Sequence, residues 1–280
     1  MRDSVERVFP IYRISYQLRP AAFRFVISSF LVLAMISLSV RAEDKKPETA
    51  KVIPHVLMTM PLAVARGSTT TLIVRGKGLA DATDVQAEAH GSKLAVKIKS
   101  KGKADVPKPE LAEKLGDTKV EIELEVPADA AGDEVKLAVI GPNGTSESHI
   151  VRLFSAAELI PEKEPNNGFT TAQAIESPIT VIGSIGKEND VDVFRISGKA
   201  GQKLSAEVFA ARLGSPLDSL LTLYDEQGRV IAQNDDANAA EGDSMLDVSL
   251  PHDGTFYIGL TDALGNGGDM YPYLLHVVCK

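Results

Sequence analysis

The sequence predicts an all-β protein built from two β-sandwich domains. Short segments alternate apolar and polar residues, and clusters of Gly, Pro, Asn and Asp separate them, which is typical of strands joined by turns. The chain has 280 residues, 44% of them apolar, which is enough to bury two cores of ordinary size. We divide it into residues 1–42 (signal peptide), 43–50 (flexible leader), 51–154 (first sandwich), 155–161 (linker) and 162–280 (second sandwich).

The N-terminus has the features of an export signal. Five arginines precede an uncharged stretch over residues 25–40, and small residues follow it, so we expect cleavage between Ala42 and Glu43. The stretch is shorter than the roughly 20 residues that a spanning helix prefers, and no membrane span is expected after cleavage. An uncleaved membrane anchor is the open alternative. The predicted location is secreted, periplasmic or cell envelope.

Charge and cysteine content exclude some classes of protein. Removing the six Lys/Arg and two Asp/Glu of residues 1–42 changes the formal net charge from −8 to −12. Nucleic acid is therefore not an expected partner, because its binding depends on an excess of Lys and Arg. Cys279 is the single cysteine, so no intramolecular disulfide can form.

The strands of the first sandwich are predicted from period-two alternation. Between them, residues 99–116 are rich in Lys and Pro, and we expect a surface loop with one helical turn at 109–115. In the segment 61–79, Val64, Gly67 and the run 76–79 resemble the opening of the immunoglobulin-like domains called IPT or TIG. The predicted strands are 69–75, 93–99, 119–126, 135–140 and 148–154.

The second sandwich is predicted from eight evenly spaced, β-rich segments without long helices, a pattern typical of a jelly-roll-like fold. Residues 225–228 read as a turn in which Gly228 supplies a positive φ. The predicted strands are 181–185, 192–196, 203–209, 220–224, 230–233, 245–250, 255–261 and 271–278.

A series of short motifs runs through the segment from Glu162 to Val278. They are Glu164-Pro165-Asn166-Asn167, Asp190-Val191-Asp192-Val193-Phe194, Ala200-Gly201, Leu217-Asp218, Leu221 to Asp225, Gly228, Asn234-Asp235-Asp236, Asp243-Ser244, Asp253 to Tyr257 and Tyr271 to Leu274. In order and spacing this series resembles the bacterial pre-peptidase C-terminal (PPC) domain. The resemblance implies a jelly-roll-like sandwich attached to secreted proteases and other exported proteins, and some related domains bind calcium and collagen. No peptidase segment is seen ahead of it here.

Two acidic clusters predict a calcium site. Carboxylate and amide oxygens are the ligands that Ca²⁺ takes, in sets of six to eight and in flexible geometry. Alternating carboxylates point the same way along an extended chain, and converging carboxylates repel one another unless a cation lies between them. The open alternative is an acidic linker followed by an acidic turn. The predicted ligands are Glu162, Glu164, Asn166, Asn167, Asp190 and Asp192.

Other sites are less well supported by the sequence. The five histidines are scattered without ligand spacing, so zinc is not expected. Asn234 to Asp236 and Asp243-Ser244 are interpreted as residues that cap loops rather than as a second ion site. No nucleophile, base and orienting residue can be assembled from motifs, so an enzyme is not expected.

These observations predict an exported, non-catalytic binding or adhesion module. Its expected partner is an extracellular protein or a polysaccharide, at or outside the cell envelope, with calcium as a stabilising ion. The alternative is an accessory subunit or inhibitor of an exported peptidase.

Overall fold

The first sandwich consists of ten strands. The computed structural model describes residues 52–237 and 242–280. The predicted signal peptide and leader lie outside this part of the chain. The strands are β1 (His55–Met60), β2 (Ala63–Ala65), β3 (Ser68–Lys77), β4 (Asp84–Ala89), β5 (Ser92–Lys93), β6 (Ala95–Lys103), β7 (Thr118–Val126), β8 (Glu134–Gly141), β9 (Gly144–Thr145) and β10 (His149–Phe154).

The strand order of this sandwich is that of an immunoglobulin-like domain. One sheet has the order β1-β3-β7-β6, and the other has the order β2-β10-β8-β4-β5, with β9 paired to β8. Naming β1, β3, β4, β6, β7, β8 and β10 as strands A to G gives the sheets ABED and GFC of the immunoglobulin fold. The prediction of an immunoglobulin-like first sandwich is confirmed, while its narrower likeness to IPT or TIG domains stays a prediction.

The second sandwich also has ten strands. They are β11 (Leu159–Pro161), β12 (Gln173–Ala174), β13 (Ile179–Ser184), β14 (Val191–Gly198), β15 (Lys203–Phe209), β16 (Ser219–Asp225), β17 (Val230–Asn234), β18 (Met245–Ser249), β19 (Gly254–Asp262) and β20 (Pro272–Cys279). The eight segments predicted from the sequence all contain strands.

This sandwich has the strand order of a jelly roll. Its sheets are β11-β13-β20-β15-β18 and β12-β14-β19-β16-β17. Naming β13 to β20 as B to I gives the two four-stranded sheets BIDG and CHEF. Consecutive strands pass from one sheet to the other as in a double Greek key, except for β16 and β17, which pair within one sheet. The prediction of an all-β, jelly-roll-like domain is confirmed.

The two sandwiches share an apolar interface. Leu62 and Leu115 of the first sandwich are 1% and 0% exposed, and they belong to the same apolar core as the interior of the second. Gly214 of the second sandwich has a left-handed φ of +88°, and a Cβ at this position would lie 1.8 Å from the carbonyl oxygen of Leu57. The side chains of Lys108 and Glu188 form an ion pair of 2.7 Å across the same boundary. The described residues therefore belong to one compact unit. The division into two domains joined at residues 155–161 stays a prediction.

Residues 99–116 differ in part from the expected surface loop. Strand β6 continues to Lys103, and the expected helical turn is present as a 3₁₀ turn at Pro109–Leu111 followed by α1 (Ala112–Leu115). The surface-loop prediction is wrong for Leu111 and Leu115, which are 6% and 0% exposed. Both side chains are buried because they meet the second sandwich, a contact that period counting within one domain does not reveal.

Strand β4 was not predicted. Its burial alternates perfectly, with Val85, Ala87 and Ala89 facing the core. Alanine has a low strand propensity, so this alternation carries a weak sequence signal. Within residues 52–237 and 242–280 the helices are too short to cross a membrane.

Candidate metal centre

The acidic segment that follows the linker is attached to the second sandwich by backbone pairing. Strand β11 runs parallel to β13, and the amide of Glu162 continues this pairing with a 2.9 Å hydrogen bond to the carbonyl of Ile182. This attachment brings residues 162–167 alongside the start of β14, where Asp190 and Asp192 lie.

Protein donors hold the Glu162 carboxylate from three sides. Its Oε1 accepts hydrogen bonds of 2.9 Å from the Asn166 amide and from the Tyr273 hydroxyl. Its Oε2 accepts a 3.0 Å bond from the backbone amide of Ser184. A Cβ on Gly183 would lie 2.5 Å from Oε2, so the carboxylate can occupy this position only beside a glycine. The orientation of Glu162 is therefore determined by β13 and β20.

Asn166 and Glu164 form a tight turn next to Glu162. The backbone amide of Asn166 donates a 2.9 Å hydrogen bond to Oε2 of the exposed Glu164 side chain. Asn166 is 0% exposed, and its backbone carbonyl accepts from the amide of Val193 at 3.0 Å. The side-chain Oδ1 of Asn166 is buried without a hydrogen-bond partner. A buried acceptor without a donor is unfavourable unless another group binds it.

Asp192 is the most unusual residue of the cluster. Its side chain is 0% exposed, and neither carboxylate oxygen has a hydrogen-bond partner. Burial, followed by the negative charge of Glu162 and then that of Asp190, raises the pKa of Asp192 to about 9. The pKa of Tyr273 is raised by burial and by the same two carboxyl groups, Asp192 and Glu162, so its hydroxyl stays protonated and donates. Only the nearby Tyr273 hydroxyl, which donates to Glu162, opposes this rise, so the protein does little to stabilise the charged form of Asp192.

The other two predicted ligands, Asp190 and Asn167, are bonded to protein groups instead of contributing free oxygens to the cluster. Asp190 is 2% exposed, and both of its oxygens have protein partners. Oδ1 accepts from the Asn167 side-chain amide at 2.5 Å and lies 3.5 Å from Nζ of Lys187, while Oδ2 accepts from the amide of Gly186 at 3.0 Å. Asp190 and Asn167 therefore bond to each other and fix the loop that leads into β14.

Three carboxylates converge in this region, next to a turn that contains one buried amide. One oxygen each from Glu162, Glu164 and Asp192 can be chosen so that all lie within 4.8 Å of one another. The unpartnered Oδ1 of Asn166 belongs to the same turn. This set of hard oxygen donors is of the type that Ca²⁺ takes, and the buried oxygens without partners fit such an ion.

Sequence reasoning missed Tyr273 and Gly183. Neither residue type is a typical calcium ligand, and both lie on strands distant in sequence from the acidic segment. Their part in the site follows from the pairing of β13 with β20, in which Gly183 is directly opposite Tyr273. The signal was the unusual glycine inside a predicted strand, because such a glycine often marks a close approach of another group.

The second polar cluster caps loops, as predicted. The buried Asp243 carboxylate accepts hydrogen bonds from the amides of Ala210 and Ala211, at 3.1 and 2.7 Å, and from Nε of Arg212. Ser244 is 0% exposed and its hydroxyl lies 2.8 Å from that of Ser219. These groups stabilise backbone conformation and take no part in the acidic site.

Comparison with known families places the acidic β14 segment inside a recognised domain. Residues 190–262 match the family model of the bacterial pre-peptidase C-terminal domain. The chain contains a PPC domain. The match begins at Asp190 and extends through β19, and the acidic turn at 162–167 precedes it. A PPC domain fits a non-catalytic module that accompanies other domains.

Similar proteins differ widely in length and context. A probable subtilase-type serine protease of Deinococcus radiodurans is 40% identical over 114 residues, which are 39% of this chain and 15% of the protease. The present chain thus spans only a small part of that relative. The solved PPC domain of a Bacillus anthracis collagenase matches with a TM-score of 0.32 and 16% identity, covering 41% of this chain and 99% of that domain. A periplasmic inhibitor of g-type lysozyme from Aeromonas hydrophila matches with a TM-score of 0.30 and 17% identity, covering 44% of this chain and 96% of the inhibitor.

Proposed function

We propose that this protein is an exported, non-catalytic binding module whose PPC domain binds calcium. The ion is bound by Glu162, Glu164, Asn166 and Asp192, while Asp190 and Asn167 hold the adjoining loop in place. The observation that carries the proposal is the Asp192 carboxylate, which is fully buried and has no partner for either oxygen.

A buried carboxylate without a partner needs either a proton or a cation. Leaving it charged and unpaired is costly, because its interaction with water is lost and nothing replaces it. Without a metal ion, protonation removes the cost of burying this charge, and the raised pKa of Asp192 reflects that protonated state. A calcium ion stabilises the folded state more than a proton does, because it also neutralises Glu162 and Glu164 and supplies a partner for the Asn166 oxygen.

Calcium at this position would fasten the linker to the second sandwich. Glu162 and Glu164 belong to the segment directly after β11, whereas Asp192 belongs to β14. An ion that bridges them joins the chain leaving the first sandwich to the sheet β12-β14-β19-β16-β17. Calcium would thereby stiffen the connection between the two sandwiches.

Thermal unfolding of the full exported chain tests the calcium site. A ligand at about a hundredfold over its Kd that binds only the folded state stabilises it by about 2.7 kcal/mol, so the Tm should rise clearly in calcium. Asp192→Asn should abolish the rise while keeping or raising the Tm in EDTA, because folding then no longer requires this carboxyl group to take up a proton. The matched control is Asp247→Asn, which changes an exposed aspartate on β18 and should keep the full calcium response. Loss of the response in both variants, or in neither, would argue against this site.

Attachment to a protein or polysaccharide outside the cell envelope is the proposed role of the module. The support is the PPC domain, whose relatives accompany exported proteins, together with the acidic balance of the mature chain. Incubation of the full exported chain with insoluble matrix proteins and polysaccharides, in calcium and in EDTA, tests the role. Retention on a matrix is expected in calcium. Complete recovery of the protein in the wash from every protein and polysaccharide tested would reject attachment.

A second candidate is an accessory subunit or inhibitor of an exported peptidase. The 40% identity to a stretch of a probable subtilase-type protease favours it. Co-purification with an exported peptidase of the same organism, with a change in its cleavage rate, would support this candidate over attachment. In both proposals the chain itself is not an enzyme, since no nucleophile, base and orienting residue can be assembled from its motifs.

A further inference from the structure

A cleft lies between the two sandwiches, on the side where α1 meets the second domain. Its volume is about 380 Å³, at the low end of ordinary ligand sites. The first sandwich contributes Leu111 and Lys114, and the second contributes Leu217, Asp218, Leu264 and Tyr271. The cleft exists only where both sandwiches are in place.

The cleft combines an apolar interior with an exposed apolar rim. Leu111, Leu217 and Tyr271 are 6%, 1% and 4% exposed, so they form packed walls. Leu264 is 76% exposed, the largest exposure among the large apolar side chains of the described residues. An exposed leucine at the mouth of an apolar cleft is suited to contact with a partner.

The polar part of the cleft is negative. No described residue donates a hydrogen bond to the carboxylate of Asp218, although its backbone amide bonds to Asp262. Partial burial and the nearby charges of Asp262, Asp236 and Asp235 raise the pKa of Asp218, and the charge of Lys114 offsets this only in part. Glu110 adds another carboxylate to the lining. A cation entering the cleft would therefore relieve the repulsion among the four aspartates.

We propose that this cleft binds a basic side chain, arginine or lysine, of a partner polypeptide. The aliphatic part of such a side chain would pack against Leu217 and Tyr271, and its charged end would pair with Asp218, while a neighbouring apolar residue of the partner covers Leu264. This inference names the partner chemistry of the binding role proposed above and rests on it.

A small arginine probe tests the cleft in the full exported chain. The probe is Nα-acetyl-L-arginine methylamide, and its citrulline counterpart is the neutral control of the same shape. In amide NMR titrations we expect arginine to shift the signals around Asp218, Leu264 and Tyr271, and citrulline to bind at least about fivefold more weakly, since a charge-assisted hydrogen bond is lost.

Two variants separate binding from folding. Asp218→Asn should weaken arginine binding at least about fivefold without lowering the Tm, because it removes a carboxylate from a repulsive group. Asp247→Asn, on the exposed face of β18, should leave the affinity unchanged. Equal binding of arginine and citrulline, no shifts in the cleft, or unaltered binding by Asp218→Asn would each overturn the proposal. The proposal would also be overturned if cellohexaose, a neutral oligosaccharide, shifted the NMR signals of the cleft and the arginine probe did not.

The outcome is distinguishable from that of the proposed function. If the chain attaches to a matrix and Asp218→Asn attaches equally well, the cleft proposal fails and the binding role stands. If arginine binds in the cleft but the chain attaches to no matrix and no peptidase, the binding role fails instead.

Discussion

The hydroxyl of Tyr273 donates a 2.9 Å hydrogen bond to Oε1 of Glu162, a residue 111 positions earlier in the chain. The bond joins the last strand of the protein to the segment that follows the linker. Tyr273 is completely buried, so this bond forms without competition from water. From its position on β20, the Tyr273 hydroxyl orients the Glu162 carboxylate of the proposed calcium site.

Tyr273→Phe should weaken both stability and calcium binding. Removing one partner of a buried hydrogen bond to a charged group costs about 1–3 kcal/mol, and loss of a group that orients a metal ligand typically lowers affinity roughly tenfold or more. Urea unfolding in EDTA and a calcium titration measure the two effects. The matched control is Tyr224→Phe, because the Tyr224 ring packs against Phe169 and, among the described residues, its hydroxyl makes no hydrogen bond to the acidic cluster. Similar losses in both variants would contradict the role given to Tyr273.

The contact between the sandwiches can be tested with a pair of glycines. Gly214 and Gly201 both have a left-handed φ, of +88° and +80°. A Cβ on Gly214 would collide with the Leu57 carbonyl at 1.8 Å, whereas a Cβ on Gly201 meets no atom within 4 Å. Gly201→Ala should cost only the conformational penalty of about 1–2 kcal/mol, and Gly214→Ala should cost more. Denaturant unfolding of both variants measures the difference, and equal costs would show that the contact with Leu57 is not maintained.

His149 predicts a loss of stability in mild acid. Burial, and to a smaller degree the charge of His55, lowers the pKa of His149 from 6.5 to about 4, and its Nε2 is buried without a partner. The folded state thus favours neutral histidine, so stability is present above the unfolded pKa and falls as the pH drops from 6.5 toward 4. Between pH 7 and 5 the loss should be about 2 kcal/mol. Urea unfolding in EDTA measures the loss in the Asp192→Asn background, where the opposing titration of Asp192 is absent. His149→Leu should remove the decline there, and a decline that persists would assign it to other groups.

Asp192 predicts the opposite trend in the metal-free protein. Its pKa in the folded state is raised to about 9 from 3.8, so the folded state holds a proton that the unfolded state releases. Stability in EDTA should therefore fall as the pH rises between 7 and 9, where His149 no longer titrates. Saturating calcium should remove the decline, and so should Asp192→Asn. A flat profile for the wild type in EDTA would mean that Asp192 is already charged and compensated.

Much of the fold was predictable because each sandwich repeats a simple pattern. Strand β7 shows why: Val120, Ile122, Leu124 and Val126 alternate with charged residues, and all four are at most 1% exposed. The contact between the domains was not predictable, since Leu111 and Leu115 lie in a segment without strand periodicity. Their burial depends on a neighbouring domain, which local periodicity does not describe.

The candidate site was predictable only in part. Acidic residues at 162, 164, 190 and 192 marked the region, but sequence spacing could not tell which carboxylates have protein partners. In the structure Asp190 has a partner for each oxygen, whereas Asp192 has none, although the two are separated by a single residue. The difference arises because alternate residues share a side of the strand only within β14, and Asp190 lies in the loop before it.

Calorimetric titration of calcium into the full exported chain, after removal of divalent ions with EDTA, tests the central claim most directly. The account predicts saturable binding at a single site per chain, a much smaller response to magnesium, whose octahedral shell fits an irregular site poorly, and loss of calcium binding in Asp192→Asn but not in Asp247→Asn. The absence of binding heat and of any thermal shift in millimolar calcium, or an equal titration of Asp192→Asn, would contradict it.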